Sequence, residues 1–162
     1  MKPRPLVPIA ILGAALLLTA CGSSLPGSAA TTTTSSSHAV TNLVVTSSQR
    51  QSLLDAAAAY HQLPAKDYTG LQKGNTYLAF DGSNHTYYAA AGLVPSSKSL
   101  QAQIGTQDDG SYNLFTKKQG RKNWTVYNDG QGAVPGSMCP ISIPAGVVAV
   151  WNWKKGSCYP PA

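Results

Sequence analysis

Glutamate is absent from this chain, and charge of either sign is scarce: twelve Lys and Arg and six Asp among 162 residues. The six aspartates are all the side-chain carboxylate there is, and five of them lie in or beside turn sequences. Asp81 and Asp129 each precede glycine, and Asp108-Asp109 runs into Gly110, which is turn chemistry rather than a paired acid and base. The alternating acidic positions of a calcium loop do not occur. Cysteine and histidine are equally sparse, three of each and scattered, which excludes a zinc site of ordinary ligand spacing. No G-x-S-x-G presents a nucleophilic serine. Nor is any apolar run long enough for a bilayer span, which takes about 20 residues. No cofactor and no metal are expected, and no residue is assigned a catalytic role.

What the chain does have begins at its start. Lys2 and Arg4 precede a 13-residue apolar run from Leu6 to Leu18, the layout of a secretory signal. Pro5 and Pro8 near its start argue further against a permanent membrane helix. The run ends in Leu18-Thr19-Ala20-Cys21. An ordinary signal peptide cut at Ala20-Cys21-Gly22 is the plainer alternative. The order of an aliphatic residue, two small residues and a cysteine resembles the bacterial lipobox, and the tethered layout is similar to that of small lipoproteins of actinobacteria. That resemblance implies cleavage behind Ala20, with residues 1–20 removed and a diacylglyceryl thioether on Cys21. It places the protein on the extracytoplasmic face of the cell membrane, held there through the lipid on Cys21. Each acyl CH2 contributes ~0.8 kcal/mol, and two chains hold durably where one binds only marginally. Three cysteines would leave an odd thiol in an oxidising compartment. With Cys21 assigned to lipid, Cys139 and Cys158 remain to pair.

Residues 21–39 are rich in Ser, Thr, Ala and Gly with almost no large apolar side chain, a composition that cannot offset chain entropy. They read as a lipidated tether, with an end-to-end distance of roughly 20–25 Å. The formal charge of the whole chain is +6, from which the signal removes the two cations Lys2 and Arg4. A moderately basic exported surface is attracted to anionic headgroups or wall polymers. Nucleic acid, the other usual partner of a basic chain, is not expected outside the cell.

Residues 40–162 are long enough for one core. Val40–Val45 reads as a short strand. Ser48 with Gln51 has the form of a capping box opening a helix over 48–62. In that helix Arg50, Leu53, Leu54, Ala57, Ala58 and His61 share one face, and Pro64 ends it. Two hairpins follow: Asn75–Asp81 into His85–Ala91, then Gln101–Gln107 through Asp108-Asp109-Gly110 into Ser111–Lys117. The second continues round Gly120 into Trp124–Asn128. The period-2 spacing of Leu100, Ala102 and Ile104 supports a strand there. Residues 143–156 fit a helix opened by Pro144 or a β-branched strand; the end signals favour the helix. A bridge between Cys139 and Cys158 across this element stabilises by ~3 kcal/mol in the chain-entropy model. The fold class is α+β: a single small domain with an antiparallel sheet of about five strands. An N-terminal and a short C-terminal helix pack on one face of it, with one disulfide.

One constellation carries a functional expectation. Lys117, Lys118, Arg121 and Lys122 crowd a hairpin tip beside Trp124, with Tyr127 further along the strand. Cations at a tip keep a sheet edge soluble. Arg, Trp and Tyr together also make a contact surface for an anionic wall polymer or an envelope protein. A second aromatic group, Tyr87, Tyr88, Trp151 and Trp153, packs in the core or lines a groove. The leading expectation is a non-catalytic binding module. A small envelope hydrolase using His61 or His85 with an aspartate requires a cleft holding both groups within hydrogen-bond reach. An inhibitor of a secreted hydrolase requires a rigid loop beside the disulfide.

Overall fold

Residues 39–131 and 139–161 are described in a computed structural model, so the expected signal sequence, Cys21, most of the expected tether and the stretch 132–138 lie outside the described residues. The strands are β1 (Val40–Asn42), β2 (Tyr68–Asp81), β3 (Thr86–Pro95), β4 (Tyr112–Lys118) and β5 (Thr125–Asn128). They form one antiparallel sheet in chain order, β1-β2-β3-β4-β5. Three helices interrupt or follow it: α1 (Ser47–Tyr60), α2 (Leu100–Asp108) and α3 (Ala145–Val150). The expected α+β class, the five strands, the two terminal helices and the Cys139–Cys158 bridge are all present, the last with its Cα atoms 5.4 Å apart. No helix among the described residues is long and apolar enough to cross a membrane.

Helix α1 opens on a capping box two residues earlier than its sequence suggests. Ser/Thr-x-x-Gln occurs twice in register, and Thr46 with Gln49 is the pair used: the Gln49 amide donates to Thr46 Oγ1, and the Thr46 amide donates to Gln49 Oε1 at 2.7 Å. Its end comes before Pro64. Gln62 turns left-handed (φ 57°), letting the Leu63 amide reach Ala58 O and the Gln62 amide reach Ala59 O. These are the paired bonds that satisfy the last carbonyls of a helix. Helix α3 closes identically on Asn152 (φ 57°), with Trp153 donating to Val148 O and Asn152 to Ala149 O. Asparagine tolerates that conformation better than most residues. The reversal turns both Trp151 and Trp153 inward, where each is buried. Residues 143–156 thus contain a helix, shorter than the end signals implied because Asn152 stops it before Gly156.

Residues 101–107 correct the sequence reading: they belong to a helix, not to a strand. Ser99 Oγ accepts from the Ala102 amide as N-cap, and Gly110 (φ 85°) follows the C-cap residue Asp109. Asp-Asp-Gly is as good a helix stop as a hairpin turn, and Leu, Gln and Ala are good helix formers. The apparent alternation had no face to bury. Leu100 and Ile104 are exposed, and only Ala102 enters the core. In the first hairpin, Gly82 is not the left-handed residue; His85 is (φ 52°). Asp81 is spent there as a brace, accepting from the Ser83 amide and hydroxyl and from Asn84 Nδ2.

The helices cover both faces of the sheet rather than one. Leu78, Ala89, Ala91, Leu93 and Phe115 pack with Leu53, Leu54, Ala57 and Ala58 of α1. Their sequence neighbours Ala79, Ala90 and Leu114 point the other way. They pack with Val147 and Val148 of α3, with Trp151, Trp153, Tyr112 and the disulfide. The strands alternate and both sets are apolar, so the sheet is buried twice. Gly146 lets α3 approach β1 closely, since a Cβ there would meet Val40 Cγ2 at 2.7 Å.

Candidate functional site

Pairing register decides which tip residues share a surface. Lys117 faces Tyr87 across β3 and β4, on the α1 side of the sheet. There the Lys117 ammonium lies 4.4 Å from the Trp124 ring centroid and 5.6 Å from that of Tyr87, within cation–π reach of both. Tyr87 in turn packs on Phe80, its cross-strand partner, at 4.7 Å between ring centroids. Trp124 is locked from three directions. Its Nε1–H donates to Ser52 Oγ of α1 at 3.2 Å, its ring meets the buried Phe115 edge-on at 6.2 Å, and Lys117 sits over it. The indole is therefore held across the gap between α1 and the hairpin.

Two open clefts flank it. One, of about 680 Å³, lies between Ser48, Gln51, Ser52, Asp55, Ala56 and Ala59 of α1 and Lys122, Asn123 and Trp124. The other, of about 360 Å³, is bounded by Ser48, Gln49 and Ser52 and by Tyr87, Lys117, Gly120, Arg121 and Trp124. They meet at Ser48, Ser52 and Trp124, with the Trp124–Ser52 bridge standing between them, and together they make an open trough beside the helix. Asp55 is the single carboxylate among the residues lining it, against Lys117, Arg121 and Lys122.

Lys118 and Tyr127 do not join this group. Lys118 lies one residue out of phase with Lys117, and its Nζ donates to Asn84 O at 3.0 Å. Tyr127 packs against the α3-side core. Of the second aromatic group, Trp151 and Trp153 are core residues, with ring centroids 4.8 Å apart, and Tyr88 packs beside them. Tyr87 alone reaches the trough. The sequence reads Ser48 and Gln51 of its helical wall only as a helix cap and gives Gln49 and Ser52 no role. Their i, i+3, i+4 spacing marks the polar flank of an amphipathic helix, but only tertiary contact shows what that flank faces.

His61 occupies a separate cleft of about 400 Å³ with Tyr60, Gln62, Asp109, Asn128 and Gly130. Burial holds its imidazole below the ordinary value of 6.5, opposed by Asp109, the Asn113 amide and Asp129. Its Nε2 is buried with no hydrogen-bond partner among the described residues, and Asp109 lies in the same cleft. Asp129 is half-buried against Gly110, where a Cβ would overlap its carboxylate, and desolvation pushes its pKa up. Around it the Gly130 amide donates to Asn128 Oδ1 at 2.8 Å, and Asn128 Nδ2 donates to Gly110 O and Asn113 Oδ1. This network ties the end of β5 to the start of β4. His85 lies in the exposed β2–β3 turn, its Nδ1 3.2 Å from Gln119 Oε1. No group of three or more metal-ligating side chains converges among the described residues.

Comparison with family models, with curated proteins and with solved structures finds no match to this chain.

Proposed function

We propose that this protein is a lipid-anchored, non-catalytic binding module of the bacterial cell envelope. Cys21 carries the lipid, residues 22–39 form the tether, and the folded domain captures an anionic envelope polymer outside the membrane. The observation that carries the binding half is the convergence of Lys117, Arg121, Lys122, Trp124 and Tyr87 on one open trough beside α1. Charged and aromatic side chains at a rigid, accessible surface are the groups that concentrate binding energy. The geometry favours binding over hydrolysis, because the basic and aromatic groups converge on an open trough that no histidine lines.

Two measurements test it. Intact-mass analysis of native material is expected to show a chain beginning at Cys21 with a diacylglyceryl modification; an unmodified thiol there removes the anchor. A pull-down with purified wall polymer is expected to be salt-sensitive and to weaken in the Lys117/Lys118/Arg121/Lys122→Ala variant. Unchanged capture by that variant removes the tip from the account.

A further inference from the structure

We infer that the trough between α1 and the β4–β5 tip takes an extended anionic glycan, with sugar rings against Trp124 and charged groups at Lys117, Arg121 and Lys122. This rests on the reading of the tip as a binding surface and names what that surface reads. Shape is the first ground. The two clefts line α1 from Ser48 to Ala59, about 16 Å at 1.5 Å per residue, on either side of the Trp124–Ser52 bridge, and both are open rather than enclosed. Such a channel accommodates a chain of several units better than one small molecule.

Wall chemistry is the second ground. The helical wall offers the Ser48 and Ser52 hydroxyls and the Gln49 and Gln51 amides, which donate and accept as sugar hydroxyls do. The opposite wall offers the Trp124 and Tyr87 rings, whose negative faces suit the C–H face of a pyranose. A docked protein would seek apolar anchors, yet the exposed large apolar residues Val44, Tyr60, Leu100, Ile104 and Tyr159 all lie outside the trough. Charge is the third ground: three cations line the trough against Asp55 alone, which selects an acidic chain over a neutral one. Trp124 is already fixed by Ser52, Phe115 and Lys117, so little ordering accompanies binding.

Calorimetric titration of the full chain with three probes tests this. Oligogalacturonate carries both rings and charge, inorganic polyphosphate carries charge without rings, and a maltooligosaccharide carries rings without charge. Oligogalacturonate is expected to bind at least ~10-fold more tightly than either of the others. Trp124→Leu is expected to lower oligogalacturonate affinity by ~10-fold and to leave polyphosphate affinity unchanged. Because Trp124 also packs on Phe115, Ser48→Glu provides a second variant. It places a negative charge in the first turn of α1, where the helix dipole favours it, and inside the trough, where an acidic chain would meet it. Weakening of both anions by Ser48→Glu supports the trough as the site. Equal affinity for oligogalacturonate and polyphosphate, with no effect of Trp124→Leu, overturns sugar recognition while leaving a charge-reading tip intact. Maltooligosaccharide binding as tight as oligogalacturonate overturns the requirement for an acidic chain. No binding of either anion overturns the binding surface itself.

Discussion

The two faces of the sheet solve one burial problem by different means. The face under α1 is mainly aliphatic at its centre: Leu53, Leu54, Leu71, Leu78 and Leu93 cluster with Phe115 and Tyr68, and a 14-residue helix closes over them. The face under α3 is aromatic and is covered by a six-residue helix, too short to persist without tertiary support. There Tyr77, Tyr112, Trp151 and Trp153 form a run of ring contacts, and the Cys139–Cys158 bridge closes the segment on itself. A cover made by a long amphipathic helix needs no covalent bond. A cover made of fewer than two turns is held by large rings and a staple.

Substitutions that break this contrast fall in order of size. Phe115 and Leu114 are adjacent on β4, both buried, and enter opposite cores. Phe115→Ala is expected to cost about 3–5 kcal/mol in urea unfolding, and Leu114→Ala about 2–5 kcal/mol, since each leaves a cavity in a closed layer. A negligible cost at Leu114 would mean that the α3 layer is not a packed core.

Replacing both Cys139 and Cys158 by serine is expected to cost about 3 kcal/mol, with hydrogen exchange accelerated first at the Val147, Val148 and Trp151 amides. Equal acceleration at Leu53 and Leu54 would show that the faces open as one unit. Thr46→Ala should remove about 1 kcal/mol through the lost cap and act on α1 alone.

The two helix ends offer a smaller and opposite effect. Gln62→Gly is expected to stabilise by up to about 1 kcal/mol, because glycine accepts the left-handed conformation without penalty. Asn152→Gly should gain less, since asparagine already tolerates that conformation. A loss at both positions would assign the side chains a packing role.

The pH dependence distinguishes the His61 end of the domain. The folded imidazole titrates below its ordinary 6.5, so the unfolded chain takes up that proton first as pH falls. Its contribution to stability is complete above pH 6.5 and is lost as pH drops towards the folded value. Asp129, pushed above its ordinary 3.8, acts in the opposite sense, gaining stability for the native state as it protonates. The urea midpoint, followed downward from neutral pH, should fall just below pH 6.5 in the native chain and stay flatter in His61→Gln. An identical decline in that variant would assign it to another group.

Much of the fold is legible in the residues themselves. The α1 periodicity, the turn after Asp81, the strand patterns of β2 to β5 and the Pro-led start of α3 are local signals that produced the expected elements, whereas Asp108-Asp109-Gly110 closes a helix instead of a hairpin. Residues 101–107 were not legible, because spacing over four residues fits an exposed helix as well as a half-buried strand. Nor was the second buried face. Alternation of Leu78 with Ala79, and of Leu114 with Phe115, supplies two apolar faces, but nothing local says that residues 145–153 return to cover the second. The candidate site was legible as a cluster of residue types and not as a surface. Lys117 and Lys118 are neighbours in sequence and point to opposite sides of the sheet.

Short-range chemistry in the residues accounts for the face that α1 buries, the turn after Asp81 and the pleating of β2 to β5. Tertiary structure alone decided that α1 and α3 lie on opposite faces, that Trp124 bridges to Ser52, and that Lys117 but not Lys118 enters the trough. The physical reason is the two-residue period of a strand. It sorts side chains into two sets in advance, but only strand register and the packing of distant helices assign each set its neighbours.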